Sequence, residues 1–460
     1  MTSQVVLDPR TARLLPWLVA VAFFMQTLDG TILNTALPIM AVDLGESPLR
    51  MHGVLIAYLI TVAIVIPASG WLADRFGTCR IFHAAIMLFC FGSLLCTQVD
   101  TLQALISARV IQALGGALMM PVGRLVVLRA YPRSDLIRVM SFVTFPGLIG
   151  QLTGPTLGGW LVEYASWRWI FVINLPIGLL GAYAAHRLMP NLRPVLATRF
   201  DGVGFMLFGA FTLSIILGIE RLSHDSRQAA GVLLAFAVGA LVLYVLHAAR
   251  SQHPLFALSL FRVRSFSVGV SGSLMSRLGS GAMPFLTPLM LQVGLGHSPS
   301  VAGMSMIPLT LSGMATKPFI SGVIRRFGFR TVLGCNTLVQ GGLICSMALV
   351  GSQTAWWLII VLLAMIGVAN YIQFTAMGTV TLIELNDRQA SGGTSLMSVV
   401  TQLSAGLAVS MAGALLVVFN PGDGALAQPS VMGGFSMAYL CLGTLTIIST
   451  LLFLRLPRKV

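Results

Sequence analysis

The chain has 460 residues, 56% of them hydrophobic and 9% charged, and a formal net charge of +14. A soluble domain carries roughly 25% charged residues, so a water-soluble globule is excluded and the solvent for most of the chain is lipid. The basic residues are spread singly, and only Lys317 and Lys459 are lysines, which argues against a nucleic-acid surface.

A bilayer core about 30 Å thick takes about 20 apolar residues per helix. On that basis the sequence predicts an all-α polytopic membrane protein with spans near 14–38, 53–73, 81–98, 103–128, 139–162, 168–188 and 202–220. Seven more follow near 229–248, 266–292, 300–323, 331–350, 354–376, 392–418 and 432–454. Arg10 and Arg13 precede the first run, and the many runs after it mark it as a first span and not a cleaved signal peptide.

With both termini cytoplasmic, only Arg50, Arg168, Arg221 and Arg227 fall outside, and Arg109, Arg124, Arg277 and Lys317 fall at membrane depth; the other twenty of the 28 basic residues face inward. That asymmetry supports the orientation and predicts a multi-pass protein of the cell inner membrane. The wider gaps at 189–201 and 249–265 divide the chain into six spans (1–188), a linker with two additional spans (189–265) and six more (266–460). Asp74-Arg75-Phe76-Gly77 after span 2 is echoed by Arg325-Arg326-Phe327-Gly328 after span 10, as two related halves require. The six cysteines lack metal-ligand spacing, and no G-x-x-x-x-G-K-[ST] loop is present, so ATP is not an expected partner.

Asp29 is the only carboxylate in the interior of any membrane-length apolar segment, Glu220 being the last residue of its span. A charge at that depth costs on the order of 2.5–3.5 kcal/mol by insertion scales and is a functional-site hypothesis by default. At about 1.5 Å per residue it lies roughly 22 Å from the inner end of span 1, and Arg109 lies roughly 9 Å from the outer end of span 4. Across a core of about 30 Å the two depths agree, so Asp29 and Arg109 are expected to pair. Burial and a neighbouring guanidinium bias a carboxylate's proton affinity in opposite directions, a balance suited to loading and releasing a proton. The plainer alternative is an inert pair holding spans 1 and 4 together.

Four segments carry a family resemblance. Gly70-Trp71-Leu72-Ala73-Asp74-Arg75-Phe76-Gly77-Thr78-Cys79-Arg80 resembles the G-x-L-a-D-r-x-G-r-r loop of the major facilitator superfamily. Arg109-Val110-Ile111-Gln112-Ala113-Leu114-Gly115-Gly116 is similar to its R-x-x-q-G-x-g segment, with Ala113 where the family has glycine. Gly150-Gln151-Leu152-Thr153-Gly154-Pro155-Thr156-Leu157-Gly158-Gly159 resembles the signature of its antiporters, and the Leu28–Pro38 segment that of its fourteen-helix drug:proton antiporters.

The resemblance implies a major facilitator fold of two six-helix bundles with two extra helices between them. It implies a proton-coupled antiporter that exports small amphipathic compounds by alternating access, with protons as the coupling ion and no cofactor or metal. The proton pair would be Asp29 and Arg109. Asn34, Gln112, Arg277 and Met283 are candidates for the substrate cavity. Gly70, Asp74, Arg75, Gly77 and Arg80 would form a cytoplasmic gate, and Gly150, Gly154, Pro155, Gly158 and Gly159 the antiporter motif. The expected partners are the bilayer and a small-molecule substrate, with the chain functional as a monomer.

One buried acid against four bases at membrane depth gives weight to organic anions or metal chelates as cargo beside drugs. Arg277 could instead bond helix carbonyls or Ser280, and Arg124 and Lys317 lie close enough to span ends to snorkel. Trp160, Trp167 and Trp169 read as interface anchors. A membrane-embedded lipid enzyme would need clustered acids or histidines at one face; the seven histidines are scattered.

Overall fold

The computed structural model describes residues 8–192, 200–222, 227–420 and 428–456; Arg193, Arg199, Arg458 and Lys459 lie outside them. The described residues form helices and turns with no strand, as backbone in hydrocarbon must satisfy its own hydrogen bonds. The chain begins with α1 (Pro9–Ile32), α2 (Leu37–Asp43), α3 (His52–Val65), α4 (Ser69–Phe76), α5 (Thr78–Thr97) and α6 (Leu102–Ala130). Next come α7 (Arg133–Tyr164), α8 (Trp169–Val172), α9 (Asn174–Leu188), α10 (Gly202–Leu222) and α11 (Arg227–Arg250). The last stretch holds α12 (Arg264–Ser280), α13 (Met283–Leu289), α14 (Pro299–Met304), α15 (Met306–Ser346), α16 (Trp356–Leu382), α17 (Asp387–Phe419) and α18 (Gln428–Phe453).

Among the described residues, twelve stretches are long and apolar enough to cross a bilayer. One of them, Pro299–Leu349, has 51 residues; at about 1.5 Å each that is about 76 Å, too long for one crossing. It turns at Gly328 (φ 76, ψ 157) and counts as two. The broken segment from α12 to the π turn Met290–Gly294 is a further crossing. Counting these two as well, fourteen stretches of the described residues are long enough to cross.

Two expected spans are not continuous. The first breaks at the 3-10 turn Leu33–Thr35, and the ninth at Gly281–Ala282. Each restarts with a proline in its first turn, Pro38 and Pro284. Proline has no N–H to continue the preceding helix but suits a new first turn. The loop echo is geometric as well: Gly77 (φ 96) and Gly328 (φ 76) both adopt the positive φ that glycine alone enters freely.

Tyr131 Oη donates to Ala12 O at 2.6 Å, and Thr78 Oγ1 to Pro190 O at 2.9 Å, which gathers these ends on one face with Gly77. On the opposite face Asp43, Asp100, Trp167 and Arg168 meet. One apolar core near that Trp167 face draws on both the N-terminal and C-terminal helices, from Leu28 and Met51 to Phe285 and Tyr439. Toward the Gly77 face the core divides. One cluster uses only residues from Leu15 to Met189, and another only residues from Val268 to Leu456. The two sets of helices are therefore packed together at the Trp167 face and part toward the Gly77 face. A third cluster joins α10, α11, α12 and α17.

Candidate functional site

The site starts with α1, because the stretch that carries Asp29 is locked on its neighbour. Gly150, Gly154 and Gly158 recur every four residues along α7, so they share one face. A Cβ at Gly150 would stand 2.6 Å from Thr27 Oγ1, and one at Gly154 or Gly158 would collide with Thr31 Oγ1 or Ile32 O. Only glycine permits this approach, and small residues are how membrane helices pack closely. Thr35 Oγ1 donates to Pro155 O at 3.0 Å, next to the break in α1. Gly159 points elsewhere, toward Pro299 and Ser300 of α14, while Gly303 answers against Pro155. The glycine motif therefore clamps α1 to α7 and α7 to the C-terminal helices.

This frame places Asp29 within hydrogen-bond reach of α6 and α9. Arg109 Nη1 donates to Asp29 Oδ2 at 2.8 Å, with both residues 1% exposed. Gln112 Nε2 donates to Asp29 Oδ1 at 2.8 Å and to Ser93 Oγ at 2.8 Å. Asn174 Nδ2 adds a 3.2 Å bond to Oδ1, and Gln112 Oε1 accepts from Arg109 Nη1 at 2.5 Å. The guanidinium carbon lies 4.2 Å from the centre of the Tyr58 ring. A buried charge needs a partner and satisfied lone pairs, and both carboxylate oxygens have them. Spare capacity sits around the rim: Tyr58 Oη, Arg109 Nε and Asn174 Oδ1 are buried without a hydrogen-bond partner among the described residues.

The other sequence candidates fall in different places. Gln112 belongs to the Asp29 cluster and not to an open cavity. Met283 is 1% exposed within the core shared by both sets of helices. Asn34, 7% exposed, donates to Thr31 O. Neither lines open space in this conformation, because the Trp167 face is packed shut around them. Arg277 is half-buried, donates from Nε to Ser273 Oγ at 3.2 Å and lies 4.8 Å from the Phe374 ring centre. Arg124 is half-buried against Phe23, and Lys317 is exposed.

At the Gly77 face, Asp74 pairs with Arg129 at 2.6 Å, an α4–α6 contact within the N-terminal helices. Arg75, Arg80 and Gly70 are exposed. The Asp74–Arg129 pair ties the end of α4 to the end of α6.

Asn174, Ser93 and Tyr58 were not anticipated. The signal for Asn174 was an amide inside an apolar span; a serine or tyrosine in such a span carries no comparable signal. Trp167, expected at the interface, is 2% exposed and donates from Nε1 to Asp43 Oδ2 at 2.7 Å. Arg168 reaches the same oxygen at 2.7 Å and Asp100 at 2.9 Å. Trp160 and Trp169 are the exposed pair. Hydrogen bonds from Trp167 and Arg168 hold the Asp43 carboxyl below its ordinary range.

The family model of the Major Facilitator Superfamily matches residues 19–286. A relative in Cronobacter sakazakii, named "Putative multidrug resistance protein MdtD", is 48% identical over 98% of this chain and 96% of its own length. A relative of the same name in Serratia proteamaculans is 47% identical, over 96% of this chain and 93% of its own. Among solved structures, a bacterial homologue of the human lysosomal transporter Spinster superimposes with a TM-score of 0.70 at 15% identity, covering 97% of both chains. A point mutant of the nucleoside transporter NupG gives a TM-score of 0.68 at 13% identity, over 96% of this chain and 99% of its own. At these identities the likeness is one of fold.

Proposed function

Because the chain belongs to the Major Facilitator Superfamily, and so is a multi-pass membrane transporter, we propose that it is a proton-coupled antiporter exporting small amphipathic compounds. On this reading it works as a monomer in the inner membrane with both termini cytoplasmic. Two six-helix bundles (1–188 and 266–460) would rock about the cargo, and the linker helices (189–265) would bridge them. The Gly77 face would then be cytoplasmic and the conformation described inward-facing. The names of the relatives support multidrug cargo, with organic anions as the alternative.

The observation that carries the proposal is the enclosed Asp29–Arg109–Gln112–Asn174 cluster, placed where α1 breaks. When Asp29 takes a proton, its attraction for the Arg109 guanidinium goes and one oxygen becomes a donor. Arg109 keeps the Tyr58 ring and Gln112 Oε1, so the freed partner is α1. A shift of α1 is felt at α7 through the Gly150–Gly154–Gly158 face, and at α14 through Gly159. Those contacts hold the Trp167 face shut. Protonation at one buried carboxyl thus has a mechanical route to the far gate. Inward movement of one charge down about 100 mV is worth about 2.3 kcal/mol, nearly a fifty-fold gradient of cargo.

The test is substrate-induced proton movement in proteoliposomes, comparing native protein with Asp29→Asn. Native protein is expected to acidify or alkalinise the lumen with cargo flux, and the variant to exchange cargo without moving protons. Unchanged coupling in the variant sinks the proposal.

A further inference from the structure

Among the described residues, no carboxylate stands beside Arg277. Among the described residues its guanidinium makes one hydrogen bond, from Nε to Ser273, and stacks on Phe374. It borders a pocket of about 140 Å³ between α12, α16 and α17, lined further by Thr394, Ser398 and Thr401. The terminal nitrogens are left to serve whatever enters. We propose that this pocket binds the oxyanion head, carboxylate or phosphate, of an amphipathic anion that is cargo of the transporter. The proposal rests on reading the chain as an exporter and names one class of its substrate.

Size and chemistry both select such a head. A water takes about 30 Å³ of liquid volume, so the pocket admits a head of a few heavy atoms and not a drug-sized body. A planar guanidinium fork matches carboxylate and phosphate geometry. The hydroxyls of Thr394, Ser398 and Thr401 donate to Ala390 O, Thr394 O and Met397 O. Those carbonyls lie inside helix α17, where the backbone ladder also serves them, so each O–H can turn to an incoming oxyanion. Among the described residues no acid lines the pocket to repel it. Beside it, and sharing Phe374 and Gly378, lies an open depression of about 520 Å³ bordered by Thr379, Leu382 and Ile383. An apolar body can rest there while its charged head reaches Arg277.

The experiment uses purified full-length protein in phosphatidylcholine nanodiscs and two fluorescent probes that differ in one charge, dansylglycine and its neutral amide. Native protein is expected to prefer the carboxylate by about ten-fold, the scale of a charge-assisted hydrogen bond. Arg277→Gln is expected to erase the preference and Arg277→Lys to restore part of it. Equal affinity of native protein for both probes, no saturable binding of the carboxylate, or a preference that survives Arg277→Gln overturns the proposal. A second arm replaces the lipid with phosphatidylglycerol. Arg277-dependent binding confined to that lipid assigns the pocket to a headgroup and overturns the cargo reading. Asp29→Asn is expected to keep the probe preference, so failure of proton coupling and failure of anion binding are separate results.

Discussion

Asp29 and Arg277 stand at matching places, each four residues before its span breaks, at Leu33 and at Gly281. Their surroundings are opposite. Around Asp29 both oxygens are bonded and the partner guanidinium is 1% exposed. Around Arg277 one nitrogen is bonded and the rest border a pocket. A charge enclosed with its counter-charge can store a proton and move a helix, but at 1% exposure it presents no open face to cargo. A charge with unused donors can hold a ligand, but contributes little to stability. On the proposed reading the difference divides the labour: α1 would handle the coupling ion, and α12 would meet the substrate.

The largest effect that separates the two sites is stability. Asp29→Ala leaves Arg109 buried and unpaired, and breaking a buried pair from one side costs about 3–5 kcal/mol. Arg277→Ala loses a single neutral-acceptor bond and a ring contact, about 1–2 kcal/mol. Denaturant titration in mixed micelles checks the ranking. Equal losses would mean that Arg277 supports the fold as much as Asp29 does, and the division would fall.

A smaller effect tests the frame around α1. Gly154→Leu forces side-chain atoms into Thr31 and is expected to destabilise by about 1–3 kcal/mol, with loss of coupling. Gly30→Ala, one residue from Asp29 but with nothing within 4 Å of the added carbon, is expected to be near neutral. If the two behave alike in thermal unfolding and proton flux, the Asp29 cluster does not depend on the α1–α7 clamp.

Smaller again is the latch at the Trp167 face, where Glu163 Oε2 accepts from Ser300 N at 3.0 Å and joins α7 to α14. Glu163→Gln exchanges a charge-assisted bond for a neutral one. The closed population is expected to fall roughly five-fold, read as spin-label distances between residues 98 and 353. An unchanged distribution would show that Gly159 and Gly303 hold this face without the acid.

How much of this was legible beforehand differs by residue. The spans follow from hydropathy, and Asp29 with Arg109 follows from depth, because helix rise is constant and few charges compete. Gly77 and Gly328 follow from a loop echo. The position of Gln112 beside Asp29, and not in a cavity, depends on how α6 is rotated about its axis, which hydropathy does not encode. Asn174 and Ser93 enter from helices distant in sequence, and their chemistry is unremarkable until packing brings them to the carboxylate. Met283 and Asn34 lie at the right depth for a cavity, but this conformation closes the core over them. The breaks in spans 1 and 9 were signalled by Pro38 and Pro284, yet an uninterrupted apolar run hid them.

The smallest effect concerns Asp43, at the end of α2, whose latch with Trp167 and Arg168 secures that end at the Trp167 face. Hydrogen bonds from Trp167, then Arg168, hold its folded pKa below the ordinary 3.8. A carboxyl with a depressed folded value contributes stability above its unfolded value and loses it as pH falls through the folded one. The contribution is therefore constant from pH 8 to 5 and declines below about pH 4. Asp43 is 48% exposed in its side chain, so solvent screening keeps the whole effect under about 1 kcal/mol. The stability difference between native protein and Asp43→Asn should accordingly be flat near neutrality and shrink only in acid. A difference that changes between pH 8 and 5 would place the sensitive group elsewhere than Asp43.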